Sequence, residues 1–375
     1  MIKNILVLMN CNNVQKDKFK NVIHIFNNVE SNKKSAFEKK TLKDNTGYSD
    51  FEFQPVQGEQ FQLLFKDEIL SSDRFDCSQS LDHAKESTNT ANLKSALSTA
   101  HVIIGEPDLE DIKSNKNLEW IQMTWAGTDK YTCHKGFPEH VTLTNMSGAF
   151  GTIMSEYAIG AILSCYRNFP VYHEQQNQQI WKDAGSEDSL FGKTVLFLGT
   201  GDIGSNTAKR LQAFGTINIG VRRNPEKTSP YFDKIFSFDQ LDKILPMADI
   251  IICSLPNKPE TRNLLNKKRL LLMKKTAVLL NMGRGSLIVT DDLVDVLSQG
   301  HFRGVILDVT NPEPLPADHP LWSCKKVMIT PHVAGPSLGH CPDTEDRIVD
   351  ICCENIRHYL HKEPLKNVIP KEEFE

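Results

Sequence analysis

The sequence predicts an α/β protein with parallel sheets, on three observations. Towards the C-terminal half, short apolar segments alternate with helix-like ones. The strands are "TVLFLG", "TINIGV", "IIICSLP", "AVLLNMG", "GVILDVT" and "KVMITPH", with helices expected between most of them, for example at 204–213 and 290–299. Near-continuous apolar strands of this kind belong to parallel sheets covered on both faces. Second, Gly199, Gly201 and Gly204 form "GTGDIG" between the strand "TVLFL" and a helix "SNTAKRLQAF", the strand–turn–helix start of a Rossmann-like unit. Third, 375 residues suggest two domains, at roughly 100–200 residues each.

Along the chain, "IKNILVL" reads as a first strand, followed by a helix to about residue 30. Residues 31–60 and 66–95 are rich in Lys, Asn, Ser, Asp and Gln with weak periodicity, and read as polar insertions in a smaller domain. "AHVIIGEPD" is a buried strand ending at Gly105, and "LEWIQMTWAG" is another, stopping at Gly127. The segment from "GTIMSEYAIG" to "NQQIW" is one long helix or two in series. "DTEDRIVDICCENIRHYLHKE" closes the chain as a helix, set off from the sheet by a Pro/Gly stretch around 335–342. The expected organisation is a dinucleotide-binding domain at 148–336 and a discontinuous substrate-binding, catalytic domain at 1–147 plus 337–375. Both would be Rossmann-like, with the active site in a cleft between them.

Composition excludes several classes. A hydrophobic fraction of 39% and a charged fraction of 24% are those of a globular protein. The net charge of -4 gives no general attraction to nucleic acid or an anionic membrane, so any anion site must be local. No apolar run approaches the roughly 18 residues of a membrane-spanning helix, and the N-terminal one is too short for a signal peptide. Nine cysteines without CxxC or ligand spacing point to free thiols and a cytoplasmic protein, with Cys352 and Cys353 as core filler. No metal site is expected.

In the glycine turn each glycine has a physical reason. The first permits the tight turn, the second lets backbone approach a pyrophosphate, and the third allows close packing of helix on strand. The helix N-terminus at Asp202 and Ile203 then offers free N–H groups to the anion. NAD binders usually carry an acidic residue about 20 positions on, which takes the ribose hydroxyls. Here the second strand ends at Arg222 and Arg223, and no Asp or Glu precedes Glu226. An arginine there can clasp a 2′-phosphate or stack on adenine, so NADP(H) is favoured over NAD(H). The plainer alternative is that both arginines are solvated loop charges and either cofactor binds.

Three later fragments carry polar residues that the fold does not require: "NMGRGSLI" with Arg284, "LDVTNPEPLP" with Asp308 and Glu313, and "ITPHVAG" with His332. Strand C-terminal ends are where ligands bind in such sheets. Arginine polarises a ketone and holds a carboxylate. Histidine exchanges a proton with an alcohol oxygen, and a paired glutamate fixes the ring and favours its charged form. A nicotinamide would take or give the hydride. Each residue also has a bland alternative: a packed loop histidine, a solvated cation, a turn residue before Pro314, a strand terminator.

These fragments, together with "LEWIQMTWAGTDKY", "LTNMSGAFGTIMSEYAIG", "LPNKPETRNLLN" and "PLW", resemble the D-isomer-specific 2-hydroxyacid dehydrogenases from about residue 102 to 360. The subgroup it is most similar to is the NADPH-using glyoxylate/hydroxypyruvate reductases. The resemblance implies Arg284, Glu313 and His332 as the catalytic set, and backbone N–H groups of Trp125, Ala126 and Gly127 as a carboxylate cradle. It implies Asp308 beside the nicotinamide amide. Leu255, Pro256, Met282, Gly283, His332 and Gly335 complete the expected cofactor site. It implies a small 2-oxo acid as substrate, a product of D configuration, and a homodimer formed through the cofactor domains. Glu313, where formate dehydrogenases of the family have glutamine, argues against formate oxidation. Phe150 stands where a histidine is frequent, and the first 95 residues match poorly. Two alternatives remain: an NAD-linked hydroxyacid dehydrogenase, and a cofactor-sensing protein like the family's corepressors.

Overall fold

The computed structural model describes residues 2–31, 60–71, 82–226, 229–335 and 340–374. The chain divides into two units, Met1–Ala149 with Leu338–Glu375, and Phe150–Ser337.

The first unit holds a five-stranded parallel sheet made of β1 (Ile2–Val7), β2 (Gln60–Phe65), β3 (Val102–Ile104), β4 (Trp120–Gln122) and β5 (Thr142–Thr144), in the order β2-β1-β3-β4-β5. Leu6, Ile103, Ile121 and Leu143 lie buried with Ile112 and Tyr131 in one apolar cluster. Two strands lie outside the sequence expectation. "QFQLLF" sits between the polar tracts, and "TLT" is only three residues long. Residues 66–95 are less of an insertion than their composition suggests, because helices Lys66–Ser71 and Asp82–Thr99 form there. The second is hard to see because its apolar side is confined to the last turns, where Leu97 is buried and Leu93 and Ala96 pack beside it. Residues 32–59 and 72–81, the remainder of those tracts, lie outside the described residues.

The helix Pro342–Leu360 belongs to this unit and is tied to it by a buried polar network. Asn355 is fully buried; its side-chain amide donates to Gln122 Oε1 at 2.7 Å and to the Lys366 carbonyl at 3.1 Å, and its Oδ1 accepts from the Lys366 N–H at 2.8 Å. Thr144 Oγ1 donates to the same Gln122 oxygen at 2.8 Å and accepts from Trp120 Nε1 at 2.9 Å.

The second unit is a seven-stranded parallel sheet in the order β12-β11-β10-β9-β6-β7-β8. Its strands are β6 (Thr194–Leu198), β7 (Ile217–Val221), β8 (Lys234–Phe236), β9 (Ile250–Cys253), β10 (Val278–Asn281), β11 (Gly304–Leu307) and β12 (Val327–Ile329). The central strands β6, β9, β10 and β11 are buried along nearly their whole length, as their unbroken apolar runs require. β8 escapes sequence reading because it is a short, half-exposed edge strand. Strand order reverses between β6 and β9, and open α/β sheets bind ligands outside the strand carboxyl ends at such a reversal. The long apolar-to-polar segment is two helices in series, Gly151–Tyr166 and Phe169–Asn177. Asn168 between them takes a left-handed φ of 54°, and Pro170 follows. Among the described residues all cysteines are free, and no helix is long and apolar enough to cross a membrane.

Replacing Asn355 with Ala leaves Gln122 and the Lys366 carbonyl short of a buried partner. We expect a loss of roughly 2–3 kcal/mol in urea unfolding. A change under about 0.5 kcal/mol would show that the network contributes little.

Candidate active site

The site begins where β6 ends. Gly199 takes a φ of +107°, and a Cβ there would lie 2.9 Å from Ser254 Oγ. A Cβ on Gly204 would lie 2.2 Å from the Gly199 carbonyl oxygen, so only a residue without a side chain lets the helix Asp202–Leu211 pack this tightly on its strand. Gly201 is different, because a Cβ there would meet nothing within 4 Å. Its backbone faces open space at the start of a helix with no side-chain cap, where unpaired N–H groups favour an anion. The Asp202 carboxylate is turned away onto Asn206 Nδ2, at 2.9 Å, and Ile203 is half-buried. Beside the turn, Thr200 Oγ1 is buried without a hydrogen-bond partner among the described residues. An open glycine, an uncapped helix start and an orphaned hydroxyl fit the pyrophosphate of a dinucleotide.

Arg222 follows β7 and its N–H pairs with the Phe236 carbonyl at 3.0 Å. Arg223 is exposed and lines a cavity of about 480 Å³ with Ser237, Asp239, Glu260, Thr261 and Arg269. Glu260 stands 3.9 Å from the Arg223 guanidinium across that space. Leu255 and Pro256 follow β9, and Met282 and Gly283 follow β10. These two turns pack backbone to backbone, since a Cβ on Gly283 would lie 2.7 Å from the Leu255 carbonyl oxygen. Gly335 lies against Met154 and Phe150, each at 3.4 Å from a Cβ built there.

Arg284 leaves the end of β10 half-buried, in extended backbone, and one of its terminal nitrogens donates to the Gly283 carbonyl at 2.8 Å. Asn281 holds the turn: its amide donates to the Arg284 carbonyl at 2.9 Å and its oxygen accepts from the Gly283 N–H at 3.2 Å. From the next two strand ends come Glu313 and His332. His332 Nδ1 lies 2.7 Å from Glu313 Oε1, with both side chains partly exposed at 44% and 42%. Glu313 Oε2 accepts more loosely from the Thr310 N–H at 3.4 Å. The pairing commits Nδ1 to the carboxylate and leaves Nε2 for another partner.

Asp308, expected beside the nicotinamide amide, follows the end of β11. It is 1% exposed, and both carboxylate oxygens are occupied by protein donors: Thr330 Oγ1 and the Val333 N–H on Oδ1, the Ala334 N–H on Oδ2. It is placed to hold the loop that carries His332.

In the first unit, Trp125, Ala126 and Gly127 follow β4, with Trp125 43% exposed. Their carbonyls are anchored: Trp125 O accepts from the Met146 N–H at 3.0 Å and Ala126 O from Asn145 Nδ2 at 2.7 Å. Glu106, which sequence reading passed over, sits beneath this loop. Its carboxylate accepts from the Thr124 N–H at 2.6 Å and from the Thr124 hydroxyl at 3.0 Å, and it also draws on the Trp125 N–H. Burial pushes the Glu106 carboxyl upward, and those hydrogen bonds oppose the shift. The N–H groups of Ala126 and Gly127 have no partner among the described residues.

Residues 159–334 match the model of the D-isomer specific 2-hydroxyacid dehydrogenase NAD binding domain. Over 276 residues, 71% of this chain and 78% of the relative, the sequence is 30% identical to a glyoxylate reductase from Thermofilum pendens. The chain belongs to the D-isomer-specific 2-hydroxyacid dehydrogenase family. Over 243 residues, 62% of this chain and 76% of the relative, this dehydrogenase is also 30% identical to glyoxylate/hydroxypyruvate reductase A from an Enterobacter species. In structure the dehydrogenase is similar to a D-isomer specific 2-hydroxyacid dehydrogenase family protein from Aeromonas salmonicida subsp. salmonicida. That likeness has a TM-score of 0.74 and 28% identity, covering 98% of this chain and 99% of the other. The expected family and fold are thereby confirmed, and the enzyme is an oxidoreductase that uses a nicotinamide cofactor. Besides Glu106, sequence reading did not single out Thr330, whose hydroxyl donates to Asp308, because a lone hydroxyl side chain carries no spacing signal.

The two glycines separate folding from binding. Gly201→Ala should melt within about 2 °C of the parent yet bind reduced cofactor several-fold more weakly, read by fluorescence titration. Gly204→Ala should lower both. Equal cofactor affinity in Gly201→Ala and the parent would remove the turn from the binding site.

Proposed function

We propose that this dehydrogenase reduces a small 2-oxo acid, of the glyoxylate or hydroxypyruvate kind, to the D-2-hydroxy acid, and that it prefers NADP(H) to NAD(H). The observation that carries the proposal is the 2.7 Å pair between His332 Nδ1 and Glu313 Oε1, next to the strand end that bears Arg284. Arg284 holds the substrate carboxylate and polarises the ketone, with the N–H groups of Ala126 and Gly127, and in part Trp125, as carboxylate donors. Glu313 holds the His332 ring through Nδ1, so that Nε2 gives its proton to the 2-oxo oxygen. The residues that would hold the cofactor are Gly199, Gly201, Asp202, Ile203, Gly204, Arg222, Arg223, Leu255, Pro256, Met282, Gly283, Asp308, His332 and Gly335. The bound reduced nicotinamide supplies the hydride to C2.

The preference for NADP(H) is supported by Arg222 and Arg223 after β7 and by the cavity that Arg223 lines. One observation favours NAD(H) as a second reading. Glu260 shares that cavity, and its carboxylate would repel a 2′-phosphate.

The proposal includes a homodimer of a cytoplasmic enzyme. Its support is the apolar surface of the second unit, where Trp181 is fully exposed and Phe169, Val171, Ile180 and Phe191 are also exposed.

Loss of reduced-cofactor absorbance, measured side by side with NADPH and NADH on glyoxylate, hydroxypyruvate and bulkier 2-oxo acids, tests the chemistry. We expect turnover with higher kcat/KM for NADPH, and a preference that collapses in Arg222→Ala/Arg223→Ala. His332→Ala should lose on the order of 10²–10⁴-fold in kcat with NADPH affinity little changed. Tight cofactor binding with no turnover on any 2-oxo acid would favour a cofactor-sensing protein instead. In sedimentation, Trp181→Asp should shift two copies to one; an unchanged dimer would move the interface elsewhere.

A further inference from the structure

Four hydrogen bonds from residues 330–334 converge on Asp308. Its carbonyl accepts from the His332 N–H at 2.9 Å, and its carboxylate accepts from Val333 N–H at 2.8 Å, Ala334 N–H at 3.0 Å and Thr330 Oγ1 at 2.7 Å. Between them His332 adopts a φ of +56°, a conformation that costs a residue with a side chain on the order of 1 kcal/mol and persists only where neighbours impose it. The loop that presents the histidine is therefore held by one buried residue, through its carboxylate and its carbonyl.

One further group joins this set from a different element. Tyr157, on the helix Gly151–Tyr166 of the same unit, places its hydroxyl 2.6 Å from Thr330 Oγ1. The direction of that bond follows from counting protons. Thr330 has one hydroxyl proton, and the carboxylate of Asp308 takes it. Tyr157 must then donate, and the chain runs from Tyr157 O–H to Thr330 O–H to Asp308. Burial pushes the Tyr157 hydroxyl up to about 12, so it keeps its proton at neutral pH.

We infer that Tyr157 is a positioning residue for His332, acting through Thr330 and Asp308. This rests on the proposed role of His332 as proton donor. Proton transfer requires hydrogen-bond reach, and a displacement near 1 Å is enough to cost about two orders of magnitude. A tyrosine hydroxyl that donates to Thr330, itself a donor to Asp308, locks the loop from the helix side. The same bond leaves the packed ring of Tyr157 in place when the hydroxyl is removed, so function and folding can be separated.

The test compares Tyr157→Phe, Thr330→Val, Thr330→Ser and the double variant Tyr157→Phe/Thr330→Val, with His332→Ala as control. Steady-state reduction of the fastest 2-oxo acid is measured with NADPH affinity and melting temperature. In the cofactor-free protein, the downfield proton resonance of His332 Nδ1–H reports ring order directly. We expect Tyr157→Phe and Thr330→Val each to lower kcat roughly ten-fold, with KM within about two-fold and the double variant no worse than the single ones. Thr330→Ser, which keeps the hydroxyl, should match the parent. The Nδ1–H resonance should be sharp in the parent and Thr330→Ser, and broadened in Tyr157→Phe. Parental kcat and a sharp resonance in Tyr157→Phe, with His332→Ala inactive, would overturn the strut and leave the proposed chemistry standing. Turnover retained in His332→Ala would overturn both. Should Thr330→Val fail to fold, Tyr157→Phe and Thr330→Ser decide alone, since neither adds bulk.

Discussion

The second unit depends on a contact that has no room for a methyl group. The backbone of Gly204 meets the carbonyl of Gly199 so closely that a Cβ would stand 2.2 Å from its oxygen. That approach draws the helix Asp202–Leu211 onto β6 and sets its N-terminus at the reversal of strand order. The same economy recurs around the sheet's carboxyl edge. Gly283 crowds the Leu255 backbone, and a Cβ on Gly285 would stand 1.9 Å from the Thr310 carbonyl oxygen. The turns after β9, β10 and β11 are thus fitted to one another by missing side chains, which places Arg284 against a rigid neighbour.

The polar half of the site follows a different rule. His332 and Glu313 are partly exposed, whereas what supports them is dry: Asp308 is 1% exposed and Asn281 fully buried. A buried polar group is costly unless every partner is present. Asp308 meets that requirement with donors from one short loop, and Asn281 with the turn of Arg284. Such satisfied groups fix backbone where a solvated side chain would leave it free to move.

Much of this was legible in the sequence. The six apolar strands of the second unit announced themselves because central parallel strands are buried on both faces. Gly199, Gly201 and Gly204 were legible because turn, open face and close approach each demand glycine. Strand β8 was not, because three half-exposed edge residues carry no pattern, and β2 was masked by the polar tracts on either side. In the site, Arg284, Glu313 and His332 stood out as polar residues at strand ends. Asp308 also stood out at a strand end, but its hold on the His332 loop did not, since that depends on donors from residues 22 to 26 positions away. Glu106 and Tyr157 were invisible for the same reason: their meaning lies in Thr124 and Thr330, which no local spacing connects to them.

The two units differ in how the chain supplies them. The second is drawn from one uninterrupted run, while the first needs both the strands β1 to β5 and the later helix Pro342–Leu360, whose Asn355 donates to Gln122 at the end of β4. On the ribosome that difference sets an order of events. The second unit has all its strands before the closing helix is made, so it can fold while synthesis continues. The first must wait for the donor that Asn355 brings to Gln122 Oε1. The helix Pro342–Leu360 is therefore a clasp on a sheet whose strands were made long before it.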